Sequence, residues 1–147
     1  MGGSPGRCPF CAIVGGTEPS SIVCEDELAV AFIDLRQFNP GHVLVVPRQH
    51  LQDIRELDAA IGAAVMAMLV RVTRAVGEAF QNEGLSLWHS IGEAGGQEVP
   101  HLHFHVHPRR VGDGMLQVYP HAPETPNEQE REAYAEQLRR RLELLEQ

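Results

Sequence analysis

Four imidazoles at alternate positions, His101, His103, His105 and His107, hold half of the eight histidines in this 147-residue chain. A side chain whose ordinary pKa lies close to neutrality can serve as nucleophile, proton carrier or metal ligand. In an extended strand all four would share one face, with Leu102, Phe104 and Val106 on the other. Neighbouring rings would then stand about 6.5–7 Å apart, and the outer pair about 20 Å apart. Donors to one zinc ion must converge to within about 4 Å of each other. Two adjacent histidines can share an ion and four cannot, so a metal strand alone does not explain the segment.

A second group with chemistry to offer is Cys8-Pro-Phe-Cys11. Its spacing lets two thiolates grip one tetrahedral ion. A thioredoxin-type redox pair is the rival, but that motif opens a helix inside a βαβ unit, and "AIVGGTEPS" reads as a poor helix. Two unengaged thiols are the third reading. If zinc is bound, two more ligands come from a distance, with His42, His50 and His101 as candidates. Four protein ligands would close the site and make it structural, with no open position for a reacting water.

The elements that must position these groups read as a mixed fold. "SIVCEDELAVAFIDL" suggests two strands around the acidic turn at residues 25–27, and "NPG" a turn before the β-branched strand "HVLVVPR". Over residues 53–81 the apolar period becomes helical, with Ile61, Val65, Met68, Val72, Val76 and Phe80 on one stripe, Asp58 as the N-cap and "NEG" as the stop. "LSLWHSI" is a further strand, followed by the Gly-rich loop "GEAGGQE" and the histidine segment. Residues 120–126 form a loop, and residues 127–147 a charged helix with Tyr134, Leu138, Leu142 and Leu145 along one face. Strands around one main helix predict an α+β domain with an antiparallel sheet. The expected divisions are a loose segment over 1–7, the domain over 8–121, and a C-terminal loop and amphipathic helix over 122–147.

A formal net charge of −8 argues against a nucleic-acid or anionic-membrane binder, because such affinity comes largely from surplus Lys and Arg. The longest apolar run, residues 59–70, is too short to span a bilayer. The N-terminal stretch lacks the apolar core of a signal peptide, and three cysteines do not suggest secretion. The expectation is a cytoplasmic protein.

"PGHVLVVPRQH", followed about fifty residues on by "GQEVPHLHFHVHPR", resembles the histidine triad family, whose signature is His-φ-His-φ-His-φ-φ with φ apolar. The resemblance covers roughly residues 8–112. It implies a five-stranded antiparallel sheet, a homodimer joining two sheets into one, and nucleotidyl hydrolase or transferase chemistry at the α-phosphate of a purine nucleotide. Residue by residue, it implies His103 as nucleophile, His101 and His105 as its flanking members, and His42 as a fourth histidine at the phosphate. Asp34 would bind the ribose hydroxyls, with Phe32 and Leu35 beside the base. Gly96, Gln97 and Glu98 would meet the phosphate, and Ser90 stands where the family carries an amide. Bacterial members with a similar C-x-x-C imply a structural zinc on Cys8, Cys11, His50 and His101. The chain departs from the signature at its last φ position, which is His107, expected at the surface or an edge.

The chemistry that follows is attack by a neutral ring nitrogen of His103, the other nitrogen being held by a backbone carbonyl, to give a nucleotidyl-histidine later released by water. His105 and His42 would donate to the phosphate oxygens, joined by backbone N–H groups of residues 95–98. No catalytic metal is expected. "PRRVGD" after the triad resembles the dinucleotide-polyphosphate branches, which makes a diadenosine-polyphosphate hydrolase or phosphorylase the second reading. A non-catalytic nucleotide-binding zinc protein is the third.

Overall fold

A computed structural model describes residues 8–147; the segment expected to be loose, 1–7, lies outside them. The described chain forms two compact units, one ending at Asp113 and the other running from Gly114 to Gln147. The first unit holds α1 (Pro9–Val14), β1 (Ile22–Glu25), β2 (Ala29–Ile33), β3 (Val43–Pro47), α2 (Ala59–Ala79), β4 (Gly84–Trp88) and β5 (Phe104–Arg109). Its five strands make one antiparallel sheet in the order β1-β2-β3-β5-β4. The α+β class read from the sequence and the five-stranded antiparallel sheet implied by the resemblance are both present.

The sheet has two buried faces, which is why β2 and β3 read as unbroken apolar runs and not as alternating ones. On one face α2 lays down Ile61, Val65, Met68, Leu69, Val72 and Val76 against Ala29, Ala31, Val43, Val45 and Val106. Asp58 caps α2 by accepting the Ile61 N–H at 2.8 Å. This helix is long and apolar enough to cross a membrane on length and composition, and its core-facing stripe accounts for that character. On the other face Val30, Phe32, Leu44 and Val46 meet Cys8 and Phe10 from α1.

Two local expectations need correction. Residues 9–14 are helical, not irregular: Pro9 fits the first position, where its missing N–H removes nothing, and the Cys8 thiol accepts the Cys11 N–H at 3.4 Å. The histidine segment is a strand only from Phe104 onward. His101 and His103 lie before it, where the chain is free to turn, so four evenly spaced rings on one strand face do not occur.

Gly41 sets the entry into β3. Its φ is 110°, and a Cβ there would come within 2.7 Å of the Phe80 ring. We expect Gly41→Ala to cost about 2–4 kcal/mol of unfolding free energy, from the left-handed backbone plus overpacking, read by denaturant titration. A loss below experimental error would contradict the close approach.

The second unit carries α3 (Glu128–Leu145), capped by the Asn127 side chain accepting the Glu130 N–H at 2.8 Å. Tyr134, Leu138, Leu142 and Leu145 form the expected stripe, and all four are exposed.

Candidate active site

Register across the sheet lines up Phe32, Leu44, His105 and Trp88 as neighbours on β2, β3, β5 and β4, on the face away from α2. Trp88 stacks flat on His105, with ring centroids 4.3 Å apart and planes 5° apart. His42, just before β3, completes a ladder of rings. Its Nε2 lies 2.9 Å from His105 Nδ1, and its Nδ1 faces the Arg36 carbonyl at 3.3 Å and the Asp34 carboxylate at 3.7 Å. Both groups facing His42 Nδ1 are acceptors, so that nitrogen carries a proton. In the neutral pair His105 Nδ1–H therefore donates to His42 Nε2.

His103 is buried, and its Nδ1–H donates to the His101 carbonyl at 2.7 Å. That bond fixes the tautomer and leaves Nε2 with a free lone pair. Phe10 meets the ring edge-to-face at 5.0 Å, and His105 lies 5.0 Å from it. Burial lowers the His103 pKa, only partly opposed by its bond to the His101 carbonyl and by the charges of Asp34 and Glu98. His105 falls to about 3, through burial first and then through its imidazole neighbours. Burial also lowers His42, with Asp34 pulling the other way. At neutral pH the rings are uncharged.

Phe10, which packs on His103, also walls a cleft of about 530 Å³, completed by Ile13 of α1, by Phe32, Leu44 and Val99, and by Asp34, Leu35 and Arg36. Phe32 is buried at its floor, while Leu35 is fully exposed at its rim. Asp34 also tightens the turn after β2, accepting the Arg36 N–H at 2.8 Å. Arg36 and Glu98 form an exposed ion pair.

The Gly-rich loop differs from expectation. The N–H groups of Gly95, Gly96 and Gln97 donate to carbonyls of Gly92 and Glu93 inside the loop, so they do not face outward as a phosphate cradle. The Gln97 amide is also committed, accepting the Gly92 N–H at 3.0 Å and donating to the Gln52 carbonyl at 2.7 Å. Ser90 is half-buried, its hydroxyl 3.7 Å from the position a Cβ on Gly96 would take. His42, expected to donate to a phosphate, has its Nε2 engaged with His105 Nδ1 in this structure.

At the opposite end of the segment, one donor atom each from Cys8, Cys11, His50 and His101 lies within 4.8 Å of the others. Cys8 Sγ is 3.4 Å from His101 Nδ1, and Cys11 Sγ is 3.2 Å from His50 Nδ1 and 3.5 Å from His101 Nδ1. Ligands about 2.0–2.3 Å from a tetrahedral zinc stand about 3.3–3.8 Å from each other, so the four donors fit the ion. His101 Nε2–H donates to the Pro47 carbonyl at 2.9 Å, turning the Nδ1 lone pair toward the thiols as a metal-ligating histidine requires. Without a cation the Cys11 thiol is pushed up to about 11, by burial and by the adjacent Cys8. Among the described residues α1 precedes β1 and the strand pairings are antiparallel, which does not match a redox helix between parallel strands.

Three participants escaped the sequence reading. Phe10 stands between the two cysteines and walls both the thiol cluster and the cleft. Trp88, read as part of the strand "LSLWHSI", reaches His105 through strand register. His107, expected at the surface or an edge, is fully buried because β5 is an interior strand of the sheet between β3 and β4.

A HIT domain model matches residues 16–112. The chain belongs to the HIT family. It is 36% identical over 114 residues to the HIT protein of Bacillus subtilis, covering 77% of this chain and 79% of that one. It is 33% identical over 122 residues to an adenosine 5'-monophosphoramidase of Schizosaccharomyces pombe, covering 82% and 89% respectively. Among solved structures of the HIT fold, a Streptococcus mutans protein superposes with a TM-score of 0.86 at 34% identity, over 97% of this chain and 89% of that one. A zinc-bound histidine triad protein of Mycobacterium smegmatis superposes at 0.69 and 34% identity, over 82% and 86%.

Proposed function

We propose that this HIT protein hydrolyses purine nucleotide conjugates at the α-phosphate, nucleoside phosphoramidates or related adenylyl linkages, through a nucleotidyl-His103 intermediate. The observation that carries the reading is the bond from His103 Nδ1–H to the His101 carbonyl, which leaves a neutral Nε2 with a free lone pair on a ring that packs against Phe10, a wall of the cleft. The base would lie between Phe10, Ile13 and Phe32, with the ribose hydroxyls on Asp34. The phosphoramidase activity named for the fission-yeast relative supports the choice of linkage.

The hydrogen-bond partners of the two rings support one proton path. An anionic phosphate entering the site favours one extra proton on the His42–His105 pair. With His42 Nδ1–H held by the Arg36 carbonyl and Asp34, that proton makes His42 an imidazolium whose Nε2–H donates to His105 Nδ1. His105 then presents Nε2–H to the substrate. As His103 Nε2 bonds to phosphorus and the P–N bond breaks, His105 gives its proton to the leaving nitrogen. The His42 Nε2 proton crosses to His105 Nδ1, leaving both rings neutral. In the second half His105 Nε2 takes a proton from the attacking water, and the bond from phosphorus to His103 breaks.

Cys8, Cys11, His50 and His101 would hold a structural zinc, whose chemistry there is to keep two thiolates deprotonated and crosslink α1 to the sheet. The zinc-bound mycobacterial neighbour supports this assignment. A homodimer joined across the β4 edge is favoured by the exposed apolar groups Met66, Val70 and Leu87 beside that strand. Arg109, the first arginine of "PRRVGD", pairs with Asp113 and reaches Ser86, which gives the dinucleotide-polyphosphate reading no residue in the cleft.

Incubation with an adenosine phosphoramidate should release AMP. Parallel incubations with a diadenosine polyphosphate, with and without free phosphate, should be far slower. Tight AMP binding with no turnover of any of these would replace the hydrolase with a binding protein.

A further inference from the structure

We propose that His107 is a positioning residue for the proton relay, acting through His42 and never touching the substrate. The inference rests on the relay proposed above. The His107 ring is fully buried, 4.6 Å from His42 at 59° and 6.1 Å from Trp88. Its Nδ1–H donates to the Pro108 carbonyl at 2.8 Å. Nε2 therefore carries a lone pair, and it has no hydrogen-bond partner among the described residues. An aliphatic side chain, as the signature has at this position, would fill the space without burying an unsatisfied nitrogen. What the imidazole adds is a second basic nitrogen next to the ring that stores the relay's proton.

The charged and titratable groups facing this pair of rings come from every packed element. They are Asp34 and Arg36 from the β2–β3 connection, His105 on β5, and Arg109 and Asp113 at the far end of that strand. β4 presents Ser86 and Trp88, which do not titrate near neutrality, and α2 packs the opposite face. Burial is the largest influence on His107 and holds it neutral; Arg109 reinforces burial, and the Pro108 carbonyl, Asp113 and Asp34 oppose it. Neutral, the ring is a wall that keeps His42 aligned with His105. Protonated, it drives the stored proton off His42 by like-charge repulsion. His107 thereby competes for the proton that the relay stores and lowers the pH at which His42 takes it up.

Imidazole NMR titration of the full chain, without substrate, tests the assignment. In the wild type His42 and His107 should titrate as a coupled pair, with His107 in the Nδ1–H tautomer. His107→Leu and His107→Gln should each move the His42 midpoint to higher pH. An unmoved midpoint in the folded variants would make His107 a space filler and overturn the proposal. If neither variant folds, independent wild-type titrations of the two rings overturn it equally. Because no turnover is needed, failure here is distinct from failure of the hydrolase reading, which shows as the lack of a nucleotidyl adduct.

Discussion

His103→Ala is expected to lower kcat/KM for an adenosine phosphoramidate by at least about 10³-fold, roughly 4 kcal/mol of transition-state stabilisation. AMP should still bind. The loss is large because the proposed substitution at phosphorus is covalent, and no neighbouring ring can take over. His105 Nδ1 is engaged with His42, His42 lies behind it, and His101 Nδ1 points to the thiols. Rapid quench under mildly alkaline conditions, followed by mass spectrometry, should place the nucleotidyl group on the wild-type His103 peptide and on none in the variant. Undiminished turnover by His103→Ala, or an adduct mapped to another residue, would end the mechanism.

Removing the metal should have the second largest effect, and on stability before activity. Purified protein should hold about one zinc per chain, lost in Cys8→Ser and Cys11→Ser. The unfolding free energy should fall by several kcal/mol, because binding to a site that exists only in the folded chain is folding energy. The six residues of α1 are too few to persist as an isolated helix. Its attachments are Phe10 against Phe32 at 5.4 Å and against the His101 and His103 rings, the packing of Ile13 and Val14 on the sheet, and the two thiols. The nucleophile should suffer too, since the carbonyl that orients His103 belongs to the residue whose ring reaches the thiols. A metal-free wild type whose thermal midpoint ignores chelators would refute the zinc assignment.

Much of this architecture is legible in the residues because the governing signals are local. β-branched runs mark β2 and β3, the three-and-four stripe from Ile61 to Val76 marks α2, and Asp58 marks its start. The four sulfur and nitrogen donors named from the resemblance are the four that the fold gathers. What escaped depends on longer-range facts. Trp88 meets His105 only through the pairing of β4 with β5, and no spacing within either strand encodes that register. His107 looked peripheral because a strand's place in the sheet order cannot be counted from its own residues. The Gly-rich loop shows a further limit: the N–H groups of Gly95, Gly96 and Gln97 looked free, but a compact turn satisfies them internally. α1 could have been found, since Pro9 directly after a capping side chain is a start signal even for a helix of six residues.

Burial of β2 and β3 on both faces carries a dynamic consequence. Segments with the most enclosed backbone open last, with free energies approaching that of global unfolding. His42 leads directly into β3, and His105 lies opposite Leu44 of that strand. The two rings proposed to pass the proton are thus held by enclosed backbone, whereas the wall proposed to receive the base includes the short helix α1. Subtle repositioning for different bases need not disturb the alignment on which the chemistry depends.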